Sequence, residues 1–411
     1  MRKFHMILAM VLTVVMAFSV KITMTSGGVG KELEILKKQL EMFYQIYPDI
    51  EVEIIPMPDS STERHDLYVA CLAAHQTDPD VFMLDVIWSA EFAPFLEDLT
   101  KDYDYFDLDE FLAGTVKSVT VEGKIVAIPW FTDAGLLYYR KDLLKKYGYN
   151  HPPETWDELV EMAMKISKAE GINGFVWQGA KYEGLVCDFT EYLWSFGGDI
   201  LDDEGNVVID RGNAAVKALQ FMVDMIYKYR ISPEGVTTYM EEDARRAFQS
   251  GTAVFMRNWP YAWSLLNGAD SPVKGKVGVV PLPAGPSGKR AATLGGWNLG
   301  INKYSSPKEK EAAKKLIKFL TSYHQQLYKV NSGQNPTREL VYKDSRLKEV
   351  APFMATLFDV FINALPRPRV ANYSEVSDII QRYVHAALTK QMDAKTAIEK
   401  LANELRWILE E

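Results

Sequence analysis

The apolar residues of the first eighty-odd positions change their period again and again, and this restricts the fold more than any other feature of the chain. Residues 20–25 read as a short strand, Gly27-Gly28 as a turn, and residues 31–47 as a helix carrying Leu33, Leu36, Leu40 and Phe43 on one face. Residues 51–55 form the next predicted strand, 63–74 the next helix, and 81–84 a strand apolar enough to be buried on both sides. Strand–helix alternation of this kind predicts a mainly parallel sheet covered by helices.

Two later helices are marked by capping boxes, in which a Ser or Thr and a Glu three residues on satisfy each other's free backbone N–H groups. They are Thr155-Trp156-Asp157-Glu158 and Ser306-Pro307-Lys308-Glu309, the second with proline at the first helical position. Helices are also expected at 213–229, 241–250 and from 373 onward, and strands at 252–256 and 277–280. The chain has 411 residues, long enough for two domains, but no repeat and no long linker. Short glycine- and proline-bearing stretches near Ile128-Pro129 and between Pro281 and Gly288 read as crossings between two discontinuous lobes.

Arg2 and Lys3, the apolar stretch 7–18 and Ala17-Phe18-Ser19 have the order of a cleavable secretory leader over 1–19, so the mature chain is expected to start at Val20. The apolar stretch is shorter than the ~20 residues that span a bilayer, and no cysteine lies beside it to take a lipid. The expected destination is the periplasm or the extracellular space. Cys71 and Cys187, the only cysteines, have apolar neighbours and read as two buried free thiols. A formal net charge of −9 supplies no basic field for nucleic acid or anionic membranes.

No P-loop, HExxH, GxSxG or CxxC pair occurs, and the 6 histidines are scattered without ligand spacing, so no cofactor, metal or catalytic residue is called for. Gly27-Gly28-Val29-Gly30 lacks full dinucleotide spacing and reads as a tight turn. The chain is instead rich in rings placed beside acids and glycines. A pyranose presents hydroxyls that pair with carboxylates or arginine and a C–H face that packs on a flat ring, so a sugar site needs both to converge. Asp85 ends an apolar strand, where open α/β sheets bind ligands; it either accepts hydroxyls or caps the following turn, while Asp80, before the strand, reads as turn chemistry. Asp133 follows Trp130, Phe131 and Thr132 at a proposed crossing and reads as a cleft acid or a cap. Tyr138 and Tyr139 are expected in the core. Trp259, Tyr261 and Trp263 crowd around Pro260 as a stacking platform or as core, and Trp263 either shares the face of Trp259 or turns inward. Gly295-Gly296-Trp297 would let a ligand approach backbone N–H groups beside a ring. Glu32 and Arg64, each early in a helix, are candidates that also read as solvated charges.

Together DPDVFMLDV at 78–86, DAGLLYYRKD at 133–142, PETWDELVEM at 153–162, YEGLVCDF at 182–189, NWPYAW at 258–263, SPVKGKVGV at 271–279 and ATLGGW at 292–297 closely resemble the trehalose/maltose-binding proteins of extracellular solute-binding protein family 1, which serve ABC importers. The resemblance covers nearly the whole mature chain. It implies that Glu32, Arg64, Asp85 and Asp133 bond sugar hydroxyls, that Trp259, Tyr261 and Trp297 supply rings, that Gly296 supplies backbone, and that Arg367 reaches in from the second lobe. Phe131 stands where relatives tend to carry tyrosine, Gln334 where a tryptophan occurs, and Val29-Gly30-Lys31 also departs from the pattern.

The expected fold is therefore α/β: a two-lobe periplasmic binding protein of type II, with a hinge and an interlobe ligand cleft. The lobes are expected at 20–132 with 286–321 and at 133–285 with 322–411. The expected function is capture of a disaccharide such as trehalose or maltose by a monomer that delivers it to the permease subunits of an ABC importer. A periplasmic glycoside hydrolase using Glu32, Asp85 and Asp133, or a receptor for oligopeptides or polyamines, are the rival readings.

Overall fold

A computed structural model of the chain describes residues 20–409; the expected leader at 1–19 lies outside them. The β-branched run Val20–Ser26 forms β1, and Ile50–Pro56 and Val81–Asp85 form β2 and β3. Thr120–Val121 and Lys124–Ile125 are a small hairpin, β4 and β5, and Ile128–Ala134 is β6. The remaining strands are β7 (Leu136–Arg140), β8 (Asn173–Val176), β9 (Ala253–Asn258), β10 (Val277–Pro281), β11 (Leu294–Ile301) and β12 (Asn335–Pro336).

Two main sheets result, six-stranded in the order β12-β6-β11-β3-β1-β2 and four-stranded in the order β10-β7-β9-β8. Helices cover them, and each sheet has apolar clusters of its own, which makes the molecule two-lobed. The expectation of mainly parallel sheets is corrected. Only β1–β2, β1–β3 and β8–β9 pair in parallel in these sheets, whereas β11 and β12 return antiparallel in the larger one and β7 pairs antiparallel with both β9 and β10. The local alternation seen at 20–84 held only for the strands joined by helices. β7 and β11 arrive from the other lobe, and nothing in a crossing obliges them to run parallel.

Both capping threonine and serine form as expected, Thr155 Oγ1 accepting from Glu158 N and Ser306 Oγ from Glu309 N. Only the second is reciprocal, because Glu158 accepts from Glu154 N and not from Thr155 N. Tyr138 is fully buried, Tyr139 half-buried. Asp80 accepts from Thr23 N and Ser305 Oγ, tying β1 to the turn after β11. Both cysteines are free, and Cys71 is half-buried instead of buried.

The first crossing lies at Gly135, between β6 and β7, and not at Ile128-Pro129, which sit inside the larger sheet. The second runs through 282–293, between β10 and β11. β12 belongs to the larger sheet although it lies beyond the expected boundary at 322. Gly135 is a glycine for a physical reason: a Cβ there would stand 1.9 Å from Glu191 Oε1 and 2.7 Å from Arg257 Nη2. These belong to a fully buried network. Arg257 donates to Glu191 through Nε (2.9 Å) and Nη2 (2.6 Å), to Gln178 Oε1 through Nη1 (3.1 Å), and lies 2.9 Å from Asp188. Glu191 Oε1 also accepts from Thr293 N at the second crossing, so one carboxylate touches both. Removing one partner of a buried charge group strands the others. Arg257→Met is expected to lower the unfolding free energy in urea by about 3–5 kcal/mol; a loss below about 1 kcal/mol would show that the crossings do not rely on this network.

Candidate functional site

The register of the larger sheet sets out the first wall of the cleft. Trp297 on β11 pairs with Asp85 on β3 and with Phe131 on β6, and side chains opposite one another across a sheet share a face. Two residues along, Gly295 pairs with Asp133. The missing side chain at Gly295 leaves room for Trp259, whose ring atoms would lie 3.0 Å from a Cβ there. Gly296 has φ +120°, and a Cβ would stand 2.4 Å from Phe131 O, so only glycine lets β11 press this closely on β6.

Two helix starts complete that wall. Glu32 opens the helix Glu32–Ile46 and is buried, and Arg64 lies in the first turns of Ser61–Ala73, also buried, its Nε donating to Pro58 O. Both read more readily as solvated charges in the sequence, and their burial removes that reading. Gly27 is the reason they fit: a Cβ would stand 2.5 Å from Arg64 Nη2 and 2.7 Å from Glu32 Oε2. The guanidinium of Arg64 lies 4.7 Å from the Trp297 ring centroid, and Trp88 meets that ring edge-on at 5.5 Å.

The second wall comes from the smaller lobe. Trp259 follows β9; Arg257 stacks 4.0 Å from its ring centroid, and its Nε1 donates to Glu241 Oε1 at 3.3 Å. Tyr261 donates its hydroxyl to Glu242 (2.9 Å) and passes over Gly30, where a Cβ would be 2.6 Å from the ring. Trp263 turns inward, packing at 5.3 Å on Phe353. Arg367 stands on a segment bridged to the second crossing by Leu294 N–Leu365 O and Leu365 N–Ala292 O. It donates to Asp85 (3.1 Å) from Nη2 and to Glu183 (2.5 Å) from Nη1.

All ten candidates, Glu32, Arg64, Asp85, Phe131, Asp133, Trp259, Tyr261, Gly296, Trp297 and Arg367, thus line one cleft. Asp85 takes the turn-capping role held open for it, accepting from Ile87 N at 3.3 Å, while also lining the cleft. Gln334 lines the cleft too, with Ser332 Oγ donating to its Oε1. Glu183, Cys187 and Glu241 were not singled out from the sequence, yet they belong to the lining. Glu183 was masked as an ordinary helix-start acid. Asp188 and Glu191, behind the wall, had a better signal: acids on a helix, Glu183–Ser195, that is otherwise apolar and wholly buried.

Burial pushes the Asp85 carboxyl above its ordinary range, opposed by Arg367. It likewise raises Glu32, opposed by Lys329 and Arg64, and raises Asp133 well above, reinforced by the Glu32 charge. The cleft therefore offers carboxylates held in low dielectric, rings on both lobes, and guanidinium groups. Among the described residues no group of three or more His, Cys, Asp or Glu side chains is placed to hold a metal ion, and no helix is long and apolar enough to cross a membrane.

Residues 26–327 match the family described as bacterial extracellular solute-binding protein. A probable ABC transporter-binding protein of Deinococcus radiodurans is 42% identical over 400 residues, 95% of this chain and 94% of the relative. The solved maltose-bound MalE3 of T. maritima is 78% identical with a TM-score of 0.94, over 95% of this chain and 100% of that one. An ABC transporter solute-binding protein of Thermotoga lettingae, solved with α-D-tagatose, is 30% identical with a TM-score of 0.87, over 95% and 100%.

A carboxyl that holds its proton more tightly when folded stabilises the fold below its unfolded value near ~4, and that contribution is lost as pH rises through the folded value. Removing Arg367 drives Asp85 further up and enlarges the loss. Arg367→Ala is expected to cost about 3–5 kcal/mol at pH 8 and at least ~1 kcal/mol less at pH 5, read from urea midpoints at the two pH values.

Proposed function

The chain belongs to the bacterial extracellular solute-binding protein family, and on that premise we propose that it captures an α-linked glucose disaccharide, maltose or trehalose, between its lobes and hands it to the permease of an ABC importer. The observation that carries this reading is the placement of rings from both lobes, Trp297 and Phe131 on one and Trp259 and Tyr261 on the other, around buried carboxylates and Arg64. Flat faces opposite C–H faces and charged acceptors beside hydroxyls suit a neutral pyranose pair. The maltose found with the T. maritima relative supports the same ligand class. A ligand touching both walls favours the closed arrangement by its differential affinity for it, which gives the permease a signal that the receptor is loaded. In this reading the protein is a monomer, exported by a leader cleaved before Val20, and not an enzyme. Asp85, already bonded to Arg367, is held as an acceptor and not poised to move a proton.

Calorimetric titration of residues 20–411 with maltose, trehalose, sucrose, maltotriose and glucose, followed by chromatography of each mixture, tests it. One-to-one binding of maltose or trehalose with the sugar recovered intact is expected, and Trp259→Ala and Trp297→Ala should each weaken it about tenfold or more, ~1.4 kcal/mol. Consumption of the sugar would establish the glycosidase, and no binding across the panel would remove sugars as the ligand class.

A further inference from the structure

Behind the cleft, outside its lining, the helix Tyr323–Lys329 ends on a lysine that is 1% exposed. Its Nζ lies 3.5 Å from the Trp130 ring centroid and 4.8 Å from that of Phe131, and no hydrogen-bond acceptor meets it. A buried ammonium held only by ring faces is expensive, because desolvation penalises its charge. Two further atoms nearby are equally unpartnered: Glu32 Oε1 and Asp133 Oδ1 are buried with no donor. Their charges are the two that act on Lys329, and Lys329 heads the opposing charges at Glu32.

We propose that Lys329 is a positioning residue, the buried cation that keeps the carboxylates of Glu32 and Asp133 charged and turned into the cleft for a ligand. It reaches no ligand itself. Trp130 and Phe131, both on β6, seat the ammonium and place it behind Phe131, whose other neighbours form the ring wall. Glu32 approaches from the helix Glu32–Ile46 and Asp133 from β6. Arg64 and Gln334 also face Glu32, with Asp59 beyond, while Asp85 and Arg257 act on Asp133. Burial brings the ammonium down to about 7, against the pull of both acids, and it pushes both acids up, so the three groups titrate as a linked set.

The assignment rests on the sugar reading for its purpose, so the decisive measurement is made without sugar. Lys329→Met and Lys329→Gln are uncharged and of similar length, and folding is verified by circular dichroism. Infrared difference titration follows the carboxylic-acid stretch of each, with Glu32→Gln and Asp133→Asn assigning the bands. In either folded variant the midpoint of at least one of the two acids should rise by about one pH unit or more, a tenfold change in its protonation ratio. Maltose affinity should then fall most at pH 6 and recover towards pH 9. Unchanged midpoints, or an affinity deficit equal at every pH, overturn the proposal. A wild-type protein that binds no sugar overturns the reading of the cleft instead, and the ligand-free titration still decides on Lys329.

Discussion

The guanidinium of Arg257 ties together both crossings and one wall of the cleft. It is buried between Asp188 and Glu191, and its partner Glu191 lies against Gly135 at one crossing and accepts from Thr293 N at the other. Its outer face stacks on Trp259. The same side chain therefore holds the helix Glu183–Ser195 against the crossings and backs a ring of the cleft. Charge of this kind adds little net stability compared with a packed apolar core. What it adds is geometry, since a planar guanidinium with fixed donor directions positions its partners where an apolar cluster would let them slide.

That rigidity explains how two walls made by distant parts of the sequence agree to within a side chain. The larger sheet sets Asp85, Trp297 and Phe131 in one row by register, and register is fixed by strand pairing. The other wall depends on where β9 ends and on how the segment carrying Arg367 is tied to the second crossing. Arg367 spans the gap between the walls, bonded to Asp85 on one side and Glu183 on the other. The lobes thus meet through an ion bridge across the cleft, whereas the Arg257 network lies at the crossings themselves.

Much of this was legible in the sequence. The strands up to Asp85 and the helices between them follow from period alone, because each is a local pattern with one buried face. The direction of β11 does not: its antiparallel pairing with β3 and β6 is set by where the chain re-enters the lobe, which no local pattern encodes. Acids at Asp85 and Asp133 were visible from their position after apolar runs. Glu32 and Arg64 looked like surface charges, and Gly27, which their close approach requires, read only as part of a tight turn. Glu183 and Lys329 gave no local signal, since the features that matter are a neighbour across the cleft and a ring beneath an ammonium. Both are matters of tertiary contact.

A neutral ligand imposes a constraint that ties these groups together. A sugar of the kind proposed would bring no countercharge, so a carboxylate kept to accept its hydroxyls would have to be compensated by the protein before the ligand arrives. Buried acids are set against a cation in three places, two of them at acids of the cleft and one at acids behind its wall. Arg367 serves Asp85 and Glu183, Arg257 serves Asp188 and Glu191, and Lys329 faces Glu32 and Asp133 with Arg64 assisting at Glu32. The first two cations make direct bonds, which commit their acids to fixed geometry. Lys329 makes none, so Glu32 Oε1 and Asp133 Oδ1 keep free lone pairs. An unbonded carboxyl oxygen is what a hydroxyl donor needs, and a cation held on rings a short distance behind the acids opposes the loss of their charge without occupying the acceptor.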